Sequence, residues 1–154
     1  MLNENKKLKG TYTAYKIPNM NPDLYNLHRY EKAFQKDNII TNSGRLRSYN
    51  EGLNFLYIAG GSGITTPTAS DTRLLNELGR WVVTDRLTTV GSIKAFAKIP
   101  NFTGNQSYGE WGIFMDDASE LVNTGTLYSR LLQNYTKTLG EILLIEYTIT
   151  ETLV

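Results

Sequence analysis

A glycine-rich loop is the first stretch of this sequence whose residue types could do chemistry. Gly60, Gly61 and Gly63 precede a Thr/Pro segment and Asp71. Glycines ahead of a helix N-terminus expose backbone N–H groups that can bind phosphate. The loop lacks the Lys-Ser/Thr ending of a P-loop and the spacing of a dinucleotide fingerprint, and Asp71 lies where an anion would sit. The pattern therefore favours a plain connection between a strand and a helix over a phosphate site.

The other residues with catalytic or metal-binding potential are isolated. His28 is the one histidine, it has no Ser or Cys partner signature, and the chain has no cysteine, so neither a catalytic triad nor a zinc site is indicated. The adjacent Asp116 and Asp117 fit a turn. With Ser119 and Glu120 they offer oxygen ligands for Ca²⁺, but the spacing matches no EF-hand. We therefore predict no enzyme activity, no metal and no cofactor.

Glu110 and Trp111 are the best candidates for a carbohydrate site, because an acid stands beside a stacking surface. Together with Tyr108 they would form an exposed aromatic patch. No second acid is placed for glycoside hydrolysis. The other interpretation is that Trp111 belongs to the core and Glu110 is its solvated neighbour.

Charge and hydropathy exclude several kinds of partner. The 154 residues carry 16 Lys and Arg against 15 Asp and Glu, and the basic residues are scattered. A nucleic-acid interface needs a basic stripe or patch. No apolar run approaches the ~18 residues of a membrane span, and nothing is typical of a signal peptide. We expect a soluble protein with no nucleic-acid, membrane or small-molecule partner.

The elements that must position these residues are mostly strands, since the chain has 10 tyrosines and many threonines. Short apolar runs and alternating patterns predict strands at residues 11–17, 30–36, 55–59, 81–90, 92–99, 108–115 and 142–150. A turn at Gly91 predicts that the strands at 81–90 and 92–99 are antiparallel neighbours. Phe96 faces the lysine side of its strand, which indicates either an interface or a second sheet. Residues 126–135 fit both a helical and a strand period.

Two short helices are predicted. Thr41 is a suitable N-cap for the first, in which apolar residues recur at helical spacing at positions 46, 49 and 53. Thr68 or Ser70 can cap the second, whose leucines at positions 74, 75 and 78 would lie on one helical face. The predicted fold class is therefore mainly β: an antiparallel β-sandwich-like domain with two short α-helices.

The N-terminal part is predicted to be an extended arm. Residues 1–36 are polar and rich in asparagine and proline, and residues 11–17 could form an edge strand, so we divide the chain into an arm and edge segment (1–36) and a β-sandwich-like domain (37–154). An arm of this kind can become ordered against a neighbouring subunit. The candidate subunit contacts are Tyr12, Tyr15, Tyr25 and Tyr30, and the alternative for each is an ordinary core or surface role.

Three blocks of sequence carry a resemblance. They are DNIITNSGRLRSYNEGL, then YIAGGSGITTPTASDTRLLNELGR, then YGEWGIFMDD followed by GTLYSRLLQNYTKTLGEILLIEYTIT. This order resembles small virion proteins of tailed bacteriophages, in which N-ITN-G precedes a GTGTTAP-ASDTALGNE loop, and INEIGLF precedes LLAR, KT and LTVTYTI. The blocks lie within residues 37–150. Trp111-Gly112-Ile113-Phe114 replaces the family's Ile-Gly-Leu-Phe, and the first 36 residues fall outside the pattern.

The resemblance implies a structural component of a phage particle, made in the host cytoplasm, present in several copies and without catalysis. It does not distinguish a tail, fibre, baseplate or head-accessory position. It also implies that residues 126–132 form a strand. We expect the chain to dock onto other virion proteins and to form a homo-oligomer. The alternative is a receptor- or carbohydrate-binding module at a fibre tip that uses Tyr108, Glu110 and Trp111.

Overall fold

The computed structural model describes residues 6–153, which form a mainly β structure with one α-helix and one 3-10 turn (Leu27–Arg29). The strands are β1 (Lys6–Ile17), β2 (Glu31–Asp37), β3 (Ile39–Ile40), β4 (Phe55–Gly61), β5 (Glu77–Thr89), β6 (Ser92–Ile99), β7 (Gln106–Met115), β8 (Leu127–Lys137) and β9 (Ile142–Leu153); the helix is α1 (Asn42–Glu51). All strand pairs are antiparallel, in the order β2-β1-β9-β6-β5-β4-β7-β8-β3.

The sheet nearly closes on itself. β2 and β3 stand at opposite ends of the strand order, yet only Asn38 separates them in the chain. Ile39 of β3 pairs with Arg130 of β8, and Ile40 pairs with Ser129. The two edges of the sheet are therefore brought together by a single short stretch of chain.

An aromatic core fills the interior of the sheet. Tyr12, Trp111 and Tyr147 are completely buried there. The ring of Phe55 meets the Tyr128 ring edge-on, with centroids 4.9 Å apart, and the Tyr147 ring at 5.4 Å. Alternate side chains of a strand point to opposite faces of the sheet. The apolar side chains on the outer face must therefore be covered by other segments of the chain.

Three segments, which form two covers, seal the outer faces. We call residues 18–30 the apolar cover: Leu27 packs there on Tyr15, Phe96 and Leu144, outside β1, β6 and β9. This cover explains why Phe96, on the lysine side of its strand, is fully buried.

We call residues 62–76 and 116–126 the ion-paired cover. Leu74 and Ala118 pack there on Ala59, Phe114 and Leu127, outside β4, β7 and β8. The charged contacts that hold this cover are described below.

The first predicted helix is confirmed as α1. The Thr41 hydroxyl oxygen accepts a hydrogen bond from the Gly44 N–H at 3.0 Å, which is an N-cap. Position 44 has room only for glycine, because a Cβ there would lie 2.6 Å from the Cα of Tyr128. The helix therefore sits directly against β8.

The second predicted helix, after Ser70, is wrong. Residues 62–76 contain no helix, and β5 begins at Glu77. The N–H groups of Leu75 and Asn76 donate to the Glu110 carboxylate, so a tertiary acceptor takes the bonds that a helix would need. Leu74 is buried while Leu75 is 55 % exposed, so the two leucines do not share a buried face.

The prediction of an edge strand at residues 11–17 is also wrong. β1 lies between β2 and β9, and its ladder with β9 runs from Lys6↔Leu153 to Ile17↔Ile142. Residues 6–17 therefore belong to the same sheet as the later strands and do not form an arm beside it. The first five residues of the predicted arm lie outside the described residues.

Candidate functional site

Glu110 of β7 is the centre of the most connected buried site. Its carboxylate is completely buried and accepts hydrogen bonds from three backbone N–H groups: Gly63 at 2.9 Å, Leu75 at 3.0 Å and Asn76 at 2.8 Å. The glycine-rich loop thus does present one N–H group, that of Gly63, to an anion, but the anion is the chain's own carboxylate. A Cβ at Gly63 would lie 2.5 Å from Glu110 Oε1, so a larger residue there would displace the carboxylate from its hydrogen bonds.

Arg130 of β8 completes the Glu110 site. Its Nε donates to Glu110 Oε2 at 2.9 Å, and its Nη1 donates to Asp71 Oδ2 at 3.1 Å. Burial opposes ionisation of Asp71, but hydrogen bonds from Thr68 and Arg130 outweigh it, so the pKa of Asp71 is below its usual value. This network fixes residues 62–76 on the outside of the sheet.

A second buried ion pair fixes residues 116–126. The guanidinium of Arg80 binds both carboxylate oxygens of Glu77 at 2.7 Å, a bidentate pair with both side chains almost fully buried. Arg80 Nη1 also donates to the carbonyls of Ser119 at 2.8 Å and Thr124 at 3.1 Å. Its guanidinium carbon lies 4.4 Å from the ring centroid of Phe114, a cation–π contact.

The carboxylates of the acidic turn, Asp116 and Asp117, are bound by Arg47 and Thr126 of the same chain. Arg47 Nη2 donates to Asp116 Oδ1 at 2.8 Å, and the Thr126 hydroxyl donates to Asp117 Oδ2 at 2.7 Å. The hydrogen bond from Arg47 lowers the pKa of Asp116. Within residues 6–153, no three His, Cys, Asp or Glu side chains are grouped so that they could hold a metal ion.

Six exposed apolar side chains lie on or beside the ion-paired cover. We call this set the loop surface; it consists of Ile64, Leu75, Leu78, Val82, Leu121 and Val122. Ile64 is 77 % exposed and Leu121 is 66 % exposed. Since the backbone beneath is tied down by Glu110 and Arg80, these apolar groups are presented by a fixed framework.

The four tyrosines predicted as subunit contacts are not equivalent. Tyr12 and Tyr15 are buried, in the inner core and under the apolar cover respectively. Tyr30 is half-buried against the apolar cover, where its hydroxyl accepts from the Asp23 N–H at 2.9 Å. Tyr25 is 82 % exposed. Of the four, only Tyr25 offers a largely exposed side chain to a partner.

Two residues of the predicted carbohydrate patch, Tyr108 and Trp111, pack together, but all three are buried. Tyr108 packs on Trp111 with ring centroids 4.8 Å apart, and the indole N–H of Trp111 donates to the Gln133 carbonyl at 3.0 Å. Glu110 is turned to the other face and closed off by the glycine-rich loop. These side chains do not form an exposed stacking surface, and His28 lies apart from them in the 3-10 turn.

Sequence reasoning missed Arg130, Glu77 and Arg80. One signal was present: Glu110 is followed by Trp111 and Arg130 by Leu131, so two opposite charges stand inside segments predicted to be strands. Charged residues are rarely fully buried unless they are paired. An acid and a base that both stand in predicted buried strands are therefore candidates for an ion pair with each other.

No family model, curated protein or solved structure matches this chain. Among residues 6–153, the one α-helix falls well short of the length and apolar character needed to cross a bilayer.

Proposed function

We propose that this chain is a structural component of a tailed-bacteriophage particle that docks onto other virion proteins. It acts in several copies, at a tail, fibre, baseplate or head-accessory position, and its location is the virion. Its mechanism is burial of apolar side chains against a partner, without catalysis.

The observation that carries the proposal is that the separate motif blocks meet in one buried network. Gly63 and Asp71 belong to the loop block, Glu110 to the aromatic-strand block and Arg130 to the LYSR segment. Gly63 and Glu110 are 47 residues apart in the chain, and Asp71 and Arg130 are 59 apart. Motifs that contact one another in this way support a shared fold rather than a chance likeness of short segments.

The loop surface supports the docking part of the proposal. Large exposed apolar groups on a fixed framework are typical of protein–protein contact sites. Leu121 and Val122 lie within a turn whose flanking carbonyls, those of Ser119 and Thr124, are held by Arg80, so they would meet a partner without first having to be ordered.

Particles purified from a host that carries this gene test the location directly. We expect gold-labelled antibody against the chain to mark one fixed position on each particle, and we expect several copies per particle by quantitative mass spectrometry. Recovery of the chain only in the unassembled fraction would overturn the proposal.

A matched pair of variants tests the docking surface. Leu121→Ser should reduce incorporation into particles, because it removes an exposed apolar contact. Val90→Ser changes a fully exposed valine at the β5–β6 turn and should leave incorporation unchanged. Equal incorporation of both variants would mean that the loop surface does not dock.

We also propose that the two halves of the sheet pack face to face as in a β-sandwich. Tyr12 of β1 and Ser129 of β8 are not on neighbouring strands, yet their hydroxyls lie 2.6 Å apart. A double-mutant cycle with Tyr12→Phe and Ser129→Ala should give a coupling energy of about 1 kcal/mol. Purely additive effects would contradict this packing.

A further inference from the structure

The two loops of the ion-paired cover contain five charged side chains. Three of them are carboxylates that already lie within ion-pair distance of an arginine: Asp71, Asp116 and Asp117. The other two are Arg73 and Glu120. Both are exposed and, within residues 6–153, neither side chain takes part in an ion pair or a hydrogen bond. One free charge of each sign therefore remains on this cover.

The two free charges belong to one surface. Leu74 of the first loop and Ala118 of the second pack in the same buried cluster outside the sheet, so the two loops lie side by side. Each loop also carries an exposed leucine, Leu75 on the first and Leu121 on the second. The loop surface is thus an apolar surface flanked by one free positive and one free negative charge.

Buried ion pairs hold the backbone close to both free charges. The N–H of Leu75 donates to the Glu110 carboxylate at 3.0 Å, and the carbonyl of Ser119 accepts from Arg80 Nη1 at 2.8 Å. A surface whose backbone is already fixed has less conformational entropy to lose when it binds a partner. The two charges and the leucines are therefore presented on a preorganised framework.

We propose that the loop surface of one copy of the chain binds the loop surface of a second copy about a two-fold axis. Every contact of such an interface occurs twice. Arg73 of each copy pairs with Glu120 of the other, and the exposed apolar side chains of both copies are buried in the contact. The inference rests on the proposed function, in which several copies act together, and it names the partner of the loop surface.

The free charges favour a second copy over other occupants. A strongly acidic partner would repel Glu120, and a strongly basic partner would repel Arg73. Nucleic acids and anionic membranes bind basic surfaces, whereas the two free charges here cancel. A second copy supplies an arginine for each glutamate and a glutamate for each arginine, so the surface is complementary to itself.

Sedimentation velocity of the purified full chain tests whether the copies pair. We expect a reversible dimer between about 1 and 100 μM, the weak end of specific interfaces. A chain that stays monomeric over this range would overturn the inference. If that monomeric chain is nevertheless found in particles, the inference fails while the proposed function stands.

Two charge reversals test the contact itself. Arg73→Glu alone and Glu120→Arg alone should each weaken the dimer at least about tenfold, because both symmetric contacts become repulsive. In an equimolar mixture of the two variants, a glutamate meets an arginine at both contacts of the mixed dimer. The mixture should therefore associate within about threefold of the natural chain. Variants that remain monomeric when mixed would overturn the inference.

Control variants separate this contact from a change in net charge. Lys32→Glu changes the charge as Arg73→Glu does, but exposed Lys32 lies on β2 and contacts Gln35 of its own strand. It should leave the dimer within about twofold of the natural chain. Leu121→Ser should weaken the dimer at least about fivefold by loss of apolar contact, and Val90→Ser should not. Equal effects of Lys32→Glu and Arg73→Glu would overturn the inference.

Discussion

The apolar cover and the ion-paired cover each seal an outer face of one sheet, but different forces hold them. Leu27 and its neighbours pack on apolar side chains of β1, β6 and β9. Hydrogen bonds of that cover join its own residues, such as Asn26 Nδ2 to Asp23 Oδ2 at 2.7 Å. In the ion-paired cover, Glu110 and Arg80 reach out of the sheet and bind the backbone of the loops.

The two covers therefore have different roles. Apolar packing stabilises the fold, whereas buried charges also fix the position of the loops that they bind. An apolar contact is favourable over a range of geometries, whereas a buried charge must find its hydrogen-bond partners at defined places or remain desolvated and unpaired. The ion-paired cover is therefore the better framework for a surface that must keep its shape. It is also the cover that carries the loop surface.

The largest expected effect is on Glu110. Glu110→Gln should lower the free energy of unfolding by about 3 kcal/mol, because Arg130 loses its fully buried counter-charge and keeps only Asp71, and an amide N–H would face N–H donors. Urea unfolding followed by tyrosine and tryptophan fluorescence measures the change. Glu120→Gln, on the exposed turn of the same cover, is the control and should stay within about 0.5 kcal/mol.

Replacing both charges should not restore full stability. In Glu110→Leu with Arg130→Met, the ion pair is gone but the N–H groups of Gly63, Leu75 and Asn76 have lost their acceptor. A double variant as stable as the natural chain would show that the carboxylate does not hold the loop.

The apolar cover should respond to loss of packing alone. Leu27→Ala should cost about 2 kcal/mol, at the lower end for buried leucines because the side chain lies near the surface. The loss should not depend on pH between 4 and 8, since Leu27 packs on apolar groups. A loss that grows as pH falls would mean that this cover too depends on charge.

Acid should weaken the ion-paired cover through Asp71. Its folded-state pKa lies below the usual value, so the stabilisation is present above about pH 5 and is lost as pH falls through the folded pKa. Asp71→Asn should therefore lower stability at neutral pH, by less than Leu27→Ala, and flatten the pH dependence between about pH 5 and 2. Thermal unfolding in a pH series measures this.

Asp23 of the apolar cover provides the comparison for Asp71. A hydrogen bond from Asn26 lowers its pKa as well, but its side chain is 37 % exposed, against 24 % for Asp71, and it contacts no buried charge. Asp23→Asn should flatten the pH dependence less than Asp71→Asn. An equal or larger effect would mean that local hydrogen bonds, rather than the contact with buried Arg130, determine acid sensitivity.

The smallest effect is expected at Tyr25. Its side chain is 82 % exposed on the apolar cover, so Tyr25→Ala should change stability by less than about 0.5 kcal/mol in thermal unfolding. A loss above 1 kcal/mol would show that the exposed ring stabilises the cover in solution.

Local pattern predicted much of the sheet. The strands at residues 55–59, 92–99, 108–115 and 142–150 are confirmed, as is the turn at Gly91, where φ is +77°. Residues 127–132 form part of β8, as the resemblance implied and periodicity alone left undecided, while Thr126 lies just before the strand. In these segments the pattern of apolar residues and the tertiary structure agree.

The errors have tertiary causes. The leucines after Ser70 fit a helical period, but the Glu110 carboxylate, which is distant in sequence, takes the N–H groups that a helix would use. β1 carries apolar residues on both of its faces: Tyr12 and Ala14 on one, and Tyr15 and Ile17 on the other. That pattern is typical of a strand buried on both faces, and it was the available signal against an edge position.

The β1–β9 ladder has a consequence for how the chain is made. The first strand pairs along its whole length with the last one, so on the ribosome β1 emerges on the order of ten seconds before its partner. During that interval β1 can pair only with β2, along Thr11–Lys16, so its other edge has no partner, and long-range pairing of the β1–β9 kind folds slowly. Synthesis of β9 is thus the event that closes the interior, and aggregation before that point should be reduced by a chaperone that holds extended apolar segments.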